Sequence, residues 1–259
     1  MPEVSLTVLI LVGLAALAAG YVDAVVGGGG LIQLPALLIA LPAVAPIHLM
    51  ATNKLASICG TSAAAVTYAR RIRPSPRTSA VLMACAFAGA AAGAGVASRM
   101  PRSVFDPIVL GALIVVGSWV LLRPDLGAMT ALRWHGWPEY VALGVIGLAI
   151  GFYDGAVGPG TGSFLTIAMV GVVGYSFLDA SARARLANAA TNAAALVVFI
   201  PQGAVMWRLG VVMGACNLLG GWLGARTALR VGVGLVRTFF LVVVAAFVIR
   251  IGGGVVGLW

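Results

Sequence analysis

GYVDAVVGGGG at residues 20–30 and GFYDGAVGPGT at residues 151–161 are one phrase written twice. The offset of 131 residues pairs Asp23 with Asp154, Gly27 with Gly158 and Gly29 with Gly160. The same offset carries Gly89-x-x-x-Gly93 onto Gly220-x-x-x-Gly224. Between these, the Ala-Thr-Asn at 51–53 returns at 190–192, offset by 139. Three matches in one order point to an internal duplication, and a repeat of this kind governs the fold before any local reading does.

The chain around this phrase is oily. Of 259 residues 61% are hydrophobic and 9% charged, whereas a soluble domain is about half apolar and a quarter charged. One soluble core does not hide that excess, because a surface has to face water; a bilayer accepts it. The net charge of +9 sits mostly in short breaks between apolar runs, where it orients a membrane protein rather than marking a nucleic-acid surface, so no nucleic-acid partner is expected. Cys59, Cys85 and Cys216 lie inside apolar runs without C-x-x-C spacing and read as small hydrophobes.

Segments long enough to span, about 20 apolar residues each, fall at 5–26, 48–69, 79–97, 104–122, 141–158, 187–206, 210–229 and 233–251. Two shorter stretches remain. That at 31–47 is broken by Pro35, Pro42 and Pro46, and that at 162–178 contains Gly171 and Gly174. The sequence leaves open whether they cross or re-enter. If they only dip, the Lys/Arg of the breaks divide eight inside to seven outside. If both cross, Arg70, Arg71, Arg73, Arg77, Arg123, Arg133, Arg183, Arg185, Arg226, Arg230 and Arg237 lie inside, and Arg99, Arg102, Arg208 and Arg250 outside. The second division obeys the positive-inside bias and inverts the second half. The expected fold is an all-α polytopic membrane protein of two homologous, inverted repeats, residues 1–126 and 141–259 around a linker loop at 127–140. Each repeat has about four full transmembrane helices and one short Gly/Pro-interrupted segment. Broken segments at matching positions place a transporter site between the halves.

The residues that carry chemistry cluster at these breaks. The turns with Gly28, Gly29 and Gly30, and with Gly160, Thr161 and Gly162, are open to two readings. One is a tight turn for close helix packing; the other is a cradle in which unpaired N–H groups hold an anion. Thr52, Asn53 and Lys54 lie a turn or two into an apolar segment. Lys54 reads as a charge facing the bundle interior or as one snorkelling to the interface. Asn188, Thr191 and Asn192 supply amides and hydroxyls for a substrate or for interhelical packing. Asp23 and Asp154 read as proton-coupling carboxylates or as caps of the glycine turns. Gln33 and Ser163 stand just beyond those turns as further donors. The glycine pairs Gly89/Gly93 and Gly220/Gly224 read as packing motifs. His48 and His135 are isolated, so no metal or cofactor is expected. The protease and hydrolase motifs H-E-x-x-H and G-x-S-x-G are absent, so the chain does not read as an enzyme.

GYVDAVVGGGGLIQLPALL from residue 20, then ATNK at 51–54, resembles the first half of the sulfite exporter TauE/SafE family. GFYDGAVGPGTGSFL from 151, NAATN at 188–192 and QGAVMW at 202–207 resemble its second half, with Pro159 and Thr161 departing from a pure glycine cluster. The resemblance implies a permease of the cell membrane for sulfite, organosulfonates or related sulfur anions, exporting them on an ion gradient. The expected function is therefore a secondary transporter of a small sulfur anion by alternating access, its partners being the anion, a coupled proton or other ion, and the lipid bilayer. An anion channel of the same architecture is the alternative.

Overall fold

The computed structural model describes residues 5–101, 103–105, 107–111, 114–115, 132–231, 245 and 248–249. Of the expected spans, most of 104–122 and nearly all of 233–251 lie outside the described residues.

Apolar runs with no proline beyond the first turn become long helices. They are α1 (Leu6–Val26), α3 (Pro46–Ile72), α4 (Pro76–Ala97), α5 (Trp137–Ala156), α7 (Phe177–Phe199) and α8 (Trp207–Val231). Between them lie α2 (Gly30–Ala40) and α6 (Thr161–Ala168), the latter continuing as a π-helical turn over Met169–Val173. All regular structure among the described residues is helical. By length and apolarity, α1, α4 and α5 are sufficient to cross a membrane. The longer α3, α7 and α8, at 27, 23 and 25 residues, carry the polar groups. Ser5 caps α1 by accepting from Val8 N–H at 3.3 Å, and Pro46 and Pro76 open α3 and α4, where a missing N–H is harmless.

The burial pattern is that of a protein in lipid. Ile10, Leu14, Val145, Leu148 and Val211 are more than half exposed, while Lys54, Asn53, Asp154, Arg185, Thr191 and Asn192 are buried. A water-soluble fold sorts these residue types the other way; here apolar side chains face outward and polar ones inward, as a bilayer requires.

Glycine allows the helices to touch backbone to backbone. A Cβ on Gly89 or Gly93 would overlap the carbonyls of Leu148 or Phe152, and one on Gly220 or Gly224 those of Leu17 or Tyr21. The predicted packing motifs therefore seat α4 on α5 and α8 on α1. The same contacts give direction. Positions 13, 17 and 21 of α1 meet 216, 220 and 224 of α8, so these two run parallel; Leu55, Cys59 and Gly60 of α3 meet Gly210, Gly214 and Gly221 of α8 and run parallel as well. Leu82, Ala86 and Ala90 of α4 meet Gly147, Gly151 and Gly155 of α5 in the same sense. α7 opposes α3: Asn192 reaches Thr61, whereas Ala204 and Met206, past the end of α7, reach His48 and Thr52 near the start of α3.

The two short segments fold back. Gly29 lies against Ala19 and Asp23. One turn on, Gln33 accepts from Asn217, which also donates to the Ala16 carbonyl. Thus α2 climbs antiparallel to α1, toward the end where α1 begins and α3 sets out. Its 11 residues measure about 16 Å, roughly half of a hydrocarbon core about 30 Å thick. In the second half, Arg133 and Trp134, just ahead of α5, donate to carbonyls of Gly171, Val172 and Val173 at the far end of α6 and its π-turn. That segment also returns along its predecessor.

One expectation is corrected. The sequence reading starts a span at residue 187 and leaves Arg183 and Arg185 in an inside loop. Instead α7 begins ten residues earlier, capped by Ser176 accepting from Asp179 N–H at 3.2 Å, and ends at Phe199. Both arginines are buried in it. A hydropathy window misses this turn because α7 packs against α3, α4 and α6 rather than against lipid, and protein neighbours tolerate charge that lipid does not. Two arginines thus drop out of the inside count.

Candidate functional site

The two glycine turns meet each other. Gly27 ends α1 with φ +88°, its N–H donating to the Asp23 carbonyl at 2.8 Å, a left-handed C-terminal turn that glycine adopts without a Cβ penalty. Ser163, on the opposite turn, donates its N–H to the Gly27 carbonyl at 3.0 Å and its hydroxyl to the Val26 carbonyl at 2.7 Å. Gly30 rests against Pro159, and a Cβ there would stand 3.2 Å from the Pro159 Cα. A buried strut of two half-length helices, one from each half of the chain, therefore crosses the centre of the bundle end to end.

A small polar cavity opens beside this contact. Its walls are Asp23, Gly27, Gly29 and Gly30 from the first turn, Asp154, Gly158, Gly160, Thr161 and Gly162 from the second, Asn53, Lys54, Ser57 and Thr61 from α3, Asn188 and Asn192 from α7, and Asn217 from α8. The space open to the centre of a water molecule is about 20 Å³, enough for one water and too little for a four-atom oxyanion.

Chemistry differs from wall to wall. The Lys54 ammonium lies 2.7 Å from Asp154 Oδ2, both side chains 2% exposed. Asp154 Oδ1 accepts from the Thr161 hydroxyl at 2.6 Å, and that hydroxyl is also 2.8 Å from the Gly158 carbonyl. Asp154 is thus tied to its turn through a side-chain hydroxyl rather than a backbone N–H, and it is the counter-ion of Lys54. Asp23 accepts one bond, from Gly29 N–H at 3.2 Å, and its Oδ2 has no partner. Asn53 Oδ1 is also unpartnered, while Asn192 donates weakly to Thr61 at 3.4 Å.

Several candidate residues stand off the cavity. Thr52 donates to the His48 carbonyl and accepts from Met206 N–H at 3.1 Å, tying α3 to the turn before α8. Gln33 donates to the Asn53 carbonyl and accepts from Asn217 at 2.6 Å. Thr191 returns its hydroxyl to the Asn188 carbonyl. Ser163 holds the turn contact, and Gly28 does not line the cavity. These groups position the site's walls.

Four cavity or near-cavity residues went unpredicted. Ser57 and Thr61 follow Asn53 at intervals of four, the spacing of one helix face, and that period was legible. Asn217 is a lone amide in an apolar helix, the kind of residue that marks an interior-facing position in a membrane. Arg185 was assigned to a loop, yet it is fully buried against Gly162.

Similarity to known proteins points the same way. The model of the family described as "Sulfite exporter TauE/SafE" matches residues 12–251. The chain is 34% identical over 251 residues to "Probable membrane transporter protein ORF9" of Sinorhizobium sp, covering 97% of this chain and 95% of that one. It is 35% identical over 231 residues to "Probable membrane transporter protein YfcA" of Escherichia coli (strain K12), covering 89% and 84%. It is 31% identical over 243 residues to a "Probable membrane transporter protein" of Haemophilus influenzae, covering 93% and 91%. No solved structure matches the chain. A match across nearly the whole length, to a helical protein with apolar flanks and a polar centre, has one reading: the chain belongs to the TauE/SafE family, and with it to the membrane transporter proteins.

Proposed function

We propose that this protein is a secondary transporter of the cell membrane that exports a small sulfur oxyanion, sulfite or an organosulfonate, by alternating access around the contact of its two glycine turns. The observation that carries the proposal is the buried polar cavity walled by both turns and by Asn53, Lys54, Asn188 and Asn192. Polar groups are retained at the centre of an apolar bundle at considerable energetic cost, and a transported solute is what they serve. The family's description supplies the substrate class.

Inverted repeats supply the motion. Under the duplication offset α1 corresponds to α5, α3 to α7 and α4 to α8. The packing pairs exchange accordingly, α1 with α8 against α5 with α4, and α3 with α8 against α7 with α4. Halves interlocked in this way rock about a shared midpoint, and the site opens to one side or the other. The cavity as found holds about one water, so this conformation is occluded. Parting Ser163 from Val26 and Gly27 widens it. Asp23, with one carboxylate oxygen unpartnered, is the group placed to exchange a coupled proton.

Purified protein reconstituted into sulfite-loaded vesicles tests this. A carrier gives sulfite flux that saturates and responds to an imposed proton gradient. Ohmic currents would establish the channel alternative, and absence of flux for sulfite and methanesulfonate alike would remove the substrate assignment.

A further inference from the structure

Among the described residues, the buried cations differ in what they meet. Lys54 is neutralised by Asp154 at 2.7 Å. Arg183 donates to Asp179 at 3.0 Å and stacks over Tyr175 at 4.1 Å. Arg185 is fully buried, and its Nε, Nη1 and Nη2 atoms all lack a hydrogen-bond partner. A guanidinium carries five N–H donors, and a buried charge left unpaired is severely unfavourable. A folded protein keeps such a group where something else completes it.

Its position says what. A Cβ on Gly162 would stand 2.5 Å from Arg185 Nη1, and Gly162 is also a wall of the central cavity. Gly162 thus borders both the guanidinium and the cavity, whose walls in this conformation do not include Arg185 itself. No hydrogen bond joins Arg185 to Asp23, and Asp23 Oδ2 is itself unpartnered. The carboxylate therefore leaves the donors of Arg185 free.

We infer that Arg185 is the cation that receives the transported anion, and that Lys54, held by Asp154, is a structural ion pair of the cavity wall. The inference rests on the transporter reading above and names the residue through which that site binds its substrate. A planar guanidinium presents two parallel N–H groups that match two oxygens of one oxyanion, whereas an ammonium or a spherical halide has no such register. The ligand class is thus a pyramidal or tetrahedral oxyanion with two oxygens on one face.

The test is sulfite binding to full-length protein in lipid nanodiscs by calorimetry, with chloride as the supporting salt. Arg185→Lys keeps the charge and removes the fork; a loss of at least tenfold in sulfite affinity is expected, with the unfolding transition retained. Wild-type protein that binds sulfite together with an Arg185→Lys variant that binds equally well overturns the assignment to Arg185 and leaves the transporter reading standing. Wild-type protein that binds neither sulfite nor methanesulfonate removes the anion site itself and this inference with it. Should Arg185→Lys not fold, D23N/R185Q compared with D23N alone reads the same difference, because removing both charges leaves neither one buried without its neighbour.

Discussion

The first and second glycine turns share a sequence pattern and an aspartate four residues ahead, yet their backbones part at Gly29 (φ −57°) and Gly160 (φ +83°), and their aspartates live differently. Asp154 in the second turn accepts from the Thr161 hydroxyl on one oxygen and stands 2.7 Å from the Lys54 ammonium on the other. Asp23 in the first has one bond at 3.2 Å and a free oxygen, with the unpartnered Arg185 nearby. The two cations also differ in origin: α3 sends Lys54 across to the second turn, whereas Arg185 of α7 stands against Gly162 of that same turn. The two are not equivalent positions, since Lys54 corresponds to Ala193 and Arg185 to Pro46 at the offset of 139. Across the two matching phrases the charges differ, giving one closed ion pair and one open cation. A structural role suits the first and a binding role the second.

The sharpest way to break this contrast is Lys54→Ala, which leaves Asp154 buried without its counter-ion. The expected loss is about 3–5 kcal/mol, read as a large fall in the thermal unfolding transition in detergent. Retained stability would mean that Asp154 is not a charged partner and that the turns are alike. Next comes Gly27→Ala. Its φ of +88° and its contact with Gly162 and Ser163 combine left-handed strain with overpacking, together about 3 kcal/mol. Gly30→Ala, where the nearest atom is 3.2 Å away, loses about 1 kcal/mol or less. Equal effects in parallel melts would show that the turn contact is loose.

Two side-chain changes sharpen the comparison. Thr161→Val removes a bond to an ionised carboxylate and is expected to lower stability by about 2 kcal/mol, measured by chemical denaturation. Ser163→Ala breaks only the hydroxyl link to Val26 and leaves the backbone bond to Gly27, so about 1 kcal/mol is expected. Its informative readout is transport: loosening the strut raises the rate of sulfite efflux from vesicles if parting the turns limits turnover.

Much of this was legible in the chain. The spans read at 5–26, 79–97 and 141–158 appear as α1, α4 and α5, because their lipid-facing sides are apolar and their mean hydropathy stays high despite Asp23 and Asp154. The turns were legible because glycine clusters and an aspartate at fixed spacing have few local structures open to them. The start of α7 was not, because a helix sheltered by other helices carries Arg183 and Arg185 at no cost a window can register. Nor was the partner of Lys54, which lies 100 residues away in sequence; pairing across the bundle depends on how the helices bring α3 to the second turn, and no local pattern encodes it.

By itself, then, the sequence determined the solvent of this protein, its helices and the two places where they break, since apolar length, glycine and proline act on the chain within a few residues. Only the tertiary structure decided that the breaks meet end to end, that Lys54 is spent on Asp154 and that Arg185 is left with nothing to bind. Those outcomes depend on distances between segments remote in sequence, and a buried charge takes its role from whichever group the fold sets beside it.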